Sequence, residues 1–104
     1  MSTNTVITLP RHLTRATVRQ VLARATTDTD TVVDATAVLR HSPAGADELV
    51  KALLGTEAHR VIVVNASAHL ERLIRVAHRA RTRPERTFML LFREVDADAL
   101  LRPA

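Results

Sequence analysis

Four short runs rich in β-branched and apolar residues, TVITL (5–9), VVDAT (32–36), RVIVVNA (60–66) and TFMLLF (87–92), are separated by stretches in which apolar residues return every three or four positions. No other feature narrows the fold as much. Strands that alternate with amphipathic helices imply right-handed crossovers and helices packed on a largely parallel sheet. The expected chain is α/β in the order β-α-β-α-β-α-β-α, with about four strands in a mostly parallel or mixed sheet and a single domain over 1–104. At 104 residues one modest core is enough, since a domain of this size buries roughly two thirds of the surface its unfolded chain exposes.

The helical stretches read in detail. Val18, Val21, Leu22 and Ala25 form one stripe on a helix over about 14–26, with Arg15 and Arg19 on the solvated side. TTDTDT (26–31) is a turn. Ala46, Leu49, Val50 and Leu53 mark the next helix. Ser42 is its natural N-cap and Pro43 its first residue, because proline loses there only an amide that has no helical partner and pushes Ser42 into the extended region. Gly55 should end it as a left-handed residue. The continuous apolar run VIVV (61–64) predicts a central strand buried on both faces. Ser67 then caps a helix whose buried stripe is Leu70, Leu73, Ile74 and Ala77, with Arg72, Arg75 and Arg79 opposite. RTRPE (81–85) breaks it, and DADALL (96–101) reads as a short last helix capped by Asp96.

Composition removes whole classes of function. There is no cysteine, which excludes disulfides, thiol catalysis and thiolate-bound metals and agrees with a reducing cytoplasm. The longest apolar runs fall far short of the ~20 residues that span a bilayer, so no membrane insertion is expected. The threonine-rich start lacks the charge and apolar length of a signal peptide, and the expected location is cytoplasmic. Fourteen arginines and one lysine against eleven carboxylates give +4, a field that favours anions. Phe88 and Phe92, the only aromatics, both fall in one strand and offer no base-stacking platform, so nucleic acid is not the expected partner.

Two strand-to-helix junctions, Asp34 to Gly45 and Asn65 to His69, should meet where ligands and partners of such sheets gather, outside the carboxyl ends of the strands. With only two glycines, neither is a phosphate-cradling loop or a dinucleotide fingerprint, and no cofactor is expected. Asp34, His41 and Ser42 have the residue types of a hydrolytic triad, but adjacent His41 and Ser42 would project differently. Their expected roles are an Asp bonded to nearby amides or to Arg40, a loop histidine and a cap. The histidines show no metal-ligand spacing. His69 and His78, nine residues apart at about 100° per residue, fall on opposite faces of their helix, and His59 and His69 flank opposite ends of the strand between them. No metal site is expected.

The segment TVVDATAVLRHSPAGADELVKAL resembles the central strand, loop and helix of STAS domains of the anti-anti-sigma-factor type, in which a strand ending in Asp or Asn leads to an Asp-Ser-x-Gly helix start. RVIVVNASAHLERLIRVA is similar to the family's next strand and helix, VITLPRHLTRATVRQVL to its beginning and FREVDADALL to its close, so that nearly the whole chain is covered by loose, mostly apolar patterning. GADELV followed by VVNAS is also similar to a divergent STAS-like branch. Aligned on Gly45, the family's phosphorylatable serine falls on Pro43, which cannot carry a phosphate, and its preceding aspartate falls on Ser42.

The resemblance implies a non-enzymatic regulatory module that binds a protein partner, an anti-sigma factor or a histidine-kinase-like ATPase, without the usual phosphorylation switch. The expected contact surface combines Asp34, His41, Ser42, Pro43 and Gly45 with Asp47, Glu48 and Lys51 on the exposed face of the helix. Ser42 is a candidate displaced phosphosite, where a phosphate would meet free helix amides. Two alternatives stand beside this reading. The first is a constitutive accessory subunit of a transporter or other ATPase assembly. The second is a small-anion site at the helix starts of Ser42 and Ser67. Leu54, off its helix stripe, points to apolar contact beyond the main core, as in a homodimer.

Overall fold

A computed structural model describes residues 5–96. The elements follow as β1 (Thr5–Thr8), β2 (His12–Leu13), α1 (Arg15–Arg24), β3 (Asp30–Asp34), β4 (Arg40–His41), α2 (Pro43–Leu54), β5 (Arg60–Val64), α3 (Ala68–Arg81) and β6 (Met89–Arg93). Four of the strands form one parallel sheet in the order β1-β3-β5-β6. The chain is therefore α/β with its strands and helices in the expected alternation. The helix expected at 96–101 lies, apart from Asp96, outside the described residues.

Each crossover moves one strand further in the same direction, and right-handed connections then place all three helices on one face of the sheet. Burial follows this rule. Ile7, Thr31, Val33, Val61 and Val63 point under the helices and are buried, where the apolar ones pack with Val18, Leu49, Val50, Leu53, Leu70 and Ile74. Thr31 satisfies its hydroxyl by donating to the Asp28 carbonyl at 2.9 Å. On the other face Val6, Val32, Ile62 and Leu91 stand side by side in register. Val6 is 45% exposed, and Val32, Ile62 and Leu91 are half-buried. The expectation that β5 is buried on both faces holds at Val64, 3% exposed on the second face, and is corrected at Ile62: β5 is central, but consecutive β-α units leave that face without a helix among the described residues.

Local chemistry sets the helix limits. Thr14 and Thr17 cap α1 reciprocally, each side chain accepting the other's amide, at 3.2 and 2.9 Å. Ser42 caps α2 and Pro43 begins it, as the sequence predicts. Gly55 ends α2 with φ −83° rather than in the left-handed region, because its amide reaches back to the Ala52 carbonyl in a tightened last turn. Leu54 packs against the main core instead of facing away from it, so the apolar contact expected beyond the core is not at Leu54.

Candidate partner-docking edge

Because every strand of the main sheet is parallel, the loops after β1, β3, β5 and β6 converge on one edge, together with the starts of all three helices. A second, two-stranded parallel sheet stiffens it: β2 pairs with β4, His12 opposite Arg40 and Leu13 opposite His41. Two residues per strand are too few for any periodicity, so the sequence gives no signal for this pairing. The amides of Leu39 and Arg40 both donate to the Arg11 carbonyl, at 2.8 and 3.0 Å, and the Val38 amide donates to Ala35 at 3.1 Å. The loop from Ala35 to Leu39 is thereby fixed from both ends. It holds Leu39 outward at 71% exposure, close in sequence to exposed Pro43.

Asp34 does not meet Arg40. Its Oδ1 accepts from the amide and the hydroxyl of Thr36, at 2.9 and 2.5 Å. Thr36 Oγ1 accepts from Asn65 Nδ2 at 2.8 Å, and Asn65 Oδ1 accepts from the Val95 amide at 2.9 Å. One chain of bonds therefore ties together the ends of β3, β5 and β6. Asn65 has φ 60°, a conformation that asparagine tolerates better than most residues. Its role as the link was not visible in the sequence beyond its place at a strand end. Behind it a cavity of about 570 Å³ opens between Val38, Asn65, Ser67, Glu94 and Val95.

His41 does not approach Asp34 either. Its Nε2 lies 3.1 Å from Nδ1 of His69 in the first turn of α3, with ring centroids 4.9 Å apart, a pairing that the spacing of the histidines could not foretell. Ser42 Oγ accepts from the Gly45 amide at 3.0 Å, and Ser67 Oγ accepts from the Leu70 amide at 3.2 Å. Each serine is thus occupied as a cap. Asp34, His41 and Ser42 have three separate sets of partners, and no base–nucleophile relay links them. Among the described residues no group of three or more His, Asp or Glu side chains is placed to hold a metal ion.

Four residues expected on the contact surface stand elsewhere. Gly45 is buried, and a β-carbon there would come within 2.3 Å of the Leu13 carbonyl oxygen. Glycine lets α2 cross directly under the β2–α1 junction, and the residue has no side chain to offer a partner. Glu48 is only 6% exposed. It faces α1, where Arg19 Nη2 lies 3.5 Å and Arg15 Nη1 3.9 Å from its Oε1, because the helix stripe read from apolar residues alone is narrower than the face α1 covers. Asp47 is half-buried and accepts two 2.6 Å bonds from Arg81 of α3. Those bonds hold its carboxyl below the ordinary carboxylate range against the opposing effect of partial burial, and they raise the Arg81 guanidinium in turn. Lys51 is exposed, but it lies eight residues, or about 12 Å, along the helix from Pro43.

The edge that remains is therefore Leu39, His41, Ser42 and Pro43 with His69, braced by the Asp34–Thr36–Asn65 chain. Among the described residues no helix is long and apolar enough to cross a membrane. Comparison of the chain with protein-family models, with curated proteins and with solved structures gave no match in any of the three.

Proposed function

We propose that the protein is a non-enzymatic docking module that binds a protein partner through the edge built by Leu39, His41, Ser42 and Pro43. The reading rests on one observation: a large apolar side chain, Leu39, is held outward at 71% exposure by a loop with its backbone bonded on both sides. A mobile loop could fold such a residue inward. A fixed one presents it at constant geometry, which lowers the ordering cost of association. The edge is also where parallel α/β sheets engage their ligands.

The partner class follows from the STAS resemblance, which assigns this helix start to contact with an anti-sigma factor or a histidine-kinase-like ATPase inside the cell. Pro43 removes the serine that such an ATPase would phosphorylate. Constitutive binding would suit the accessory-subunit reading, whereas a regulatory module is released when its ATPase partner binds ATP, so the two differ in reversibility and not in the surface used.

The test is co-purification of the chain with a co-expressed ATPase or anti-sigma protein encoded in its gene neighbourhood. Leu39→Asp should lower affinity about tenfold or more, as loss of a central apolar contact does, while Val76→Asp, at another exposed apolar site on α3 (59%), should not. ATP-dependent dissociation selects the regulatory module, and a stoichiometric complex that ignores ATP selects the subunit. Unchanged capture by Leu39→Asp would reject this edge as the docking surface.

A further inference from the structure

The excess positive charge of the chain is not spread over its surface. Residues 71–86 contain six arginines and two glutamates, an excess of four that only one other segment matches, residues 11–24 with four arginines and no carboxylate. At the end of the 71–86 segment Lys51, Arg83 and Arg86 converge with the Asp47–Arg81 ion pair around a cavity of about 670 Å³. It lies at the C-terminal ends of α2 and α3.

The backbone forces two of these cations together. Arg83 and Arg86 exchange both amide-to-carbonyl bonds, at 3.1 and 3.0 Å, around a Pro84–Glu85 turn whose proline suits the second turn position. Residues opposed in this way carry their side chains on one face, and like charges so placed repel. Arg86 is further fixed by its Nε, which donates to the Leu54 carbonyl at 3.0 Å. That bond is an ordinary use of a cation at a helix end, and Lys51 in the last turn of α2 has the same favourable place, but neither accounts for Arg83. Among the described residues the Arg83 side chain hydrogen-bonds only to the Thr82 carbonyl, at 3.4 Å. The one carboxylate that lines the cavity among the described residues, Asp47, is already bonded to Arg81 through both oxygens. Lys51, which helps to lower the Asp47 carboxyl, Arg83 and the free end of Arg86 thus share a concave site in which, among the described residues, four cations face one carboxylate.

We propose that this cavity binds a compact polyphosphate group. Three converging cations match the several closely spaced oxygens of such an anion, and arginine in particular takes phosphate in a forked geometry. No aromatic ring lines the cavity, so a nucleoside carried by the phosphates gains nothing from stacking. The site therefore recognises the phosphate chain whether it comes as free tripolyphosphate or as the tail of a nucleotide.

Calorimetric titration at low salt, without divalent cations, tests this with tripolyphosphate, ATP and GTP. Comparable affinities within about threefold are expected, each weakening as salt rises. Lys51→Glu with Arg83→Glu should weaken tripolyphosphate binding about tenfold or more. Arg11→Glu with Arg24→Glu, which removes the same charge from two exposed sites elsewhere, should change it less than about threefold. Glutamine at both positions replaces glutamate if the charge-reversed chain does not unfold cooperatively. Equal losses in the two double variants would mean a diffuse field and no site. No heat with tripolyphosphate at about 1 mM, binding of ATP alone, or binding only to a long nucleic acid would each overturn the proposal.

Discussion

Glu48 is the residue at which charge and burial conflict. Its carboxylate sits between α1 and α2, and Oε1 is buried without a hydrogen bond, because both arginines that approach it stop at ion-pair distance. A buried charge held only by partly exposed partners contributes little net stability, whereas leaving it with no partner is costly. Glu48→Met keeps the volume and discards the charge, and it should leave urea stability unchanged or raise it by up to about 1 kcal/mol. Arg15→Ala with Arg19→Ala should instead destabilise, by about 1–2 kcal/mol, and the same double change in the Glu48→Met chain should cost much less. If the double variant costs the same in both backgrounds, the arginines contribute by covering apolar surface and not by meeting the carboxylate.

At the scale of elements, the α2–α3 contact carries an ion pair that responds to pH. The Asp47 carboxyl, hydrogen-bonded by Arg81, titrates below the ordinary 3.8 of the unfolded chain. Its contribution is therefore complete above 3.8, and it is lost as pH falls through the lower folded value. Wild type and Asp47→Asn should differ in urea midpoint at about pH 6, and the difference should shrink as pH is lowered below 3.8. A difference that stays constant over that range would show that amide and carboxylate pack alike and that the charge is idle. The elements themselves were legible because each is announced by local chemistry: Ser42 and Ser67 as caps, Pro43 as a first helical residue, Pro10 and RTRPE as breaks. What stayed hidden depends on distant partners. Glu48 lies beside apolar stripe positions, yet only the approach of α1 buries it. His41 and His69 are 28 residues apart and meet because β3 and β5 are neighbours. The outward setting of Leu39 depends on the Arg11 carbonyl, which no pattern around residue 39 reveals.

For the whole molecule, the decisive fact is that its strands follow one another across the sheet without reversing direction. A doubly wound sheet reverses, covers both faces with helices and buries both sides of a central strand. Here the helices of the described residues share one face, and β5 places Val63 toward the helices and Ile62 away from them. Threonine keeps the β-branch and the strand preference at either position, so Val63→Thr and Ile62→Thr compare the two faces with the backbone held constant. Val63→Thr places a hydroxyl in a site that is 1% exposed and should cost about 2–3 kcal/mol in urea unfolding. Ile62→Thr removes a partly solvated side chain whose replacement can reach water, and about 1 kcal/mol or less is expected. Equal costs, with an Ile62 penalty that grows with protein concentration, would show that a second copy covers this face in solution. An Ile62 cost that stays small at every concentration assigns the stability of the fold to its helical side alone.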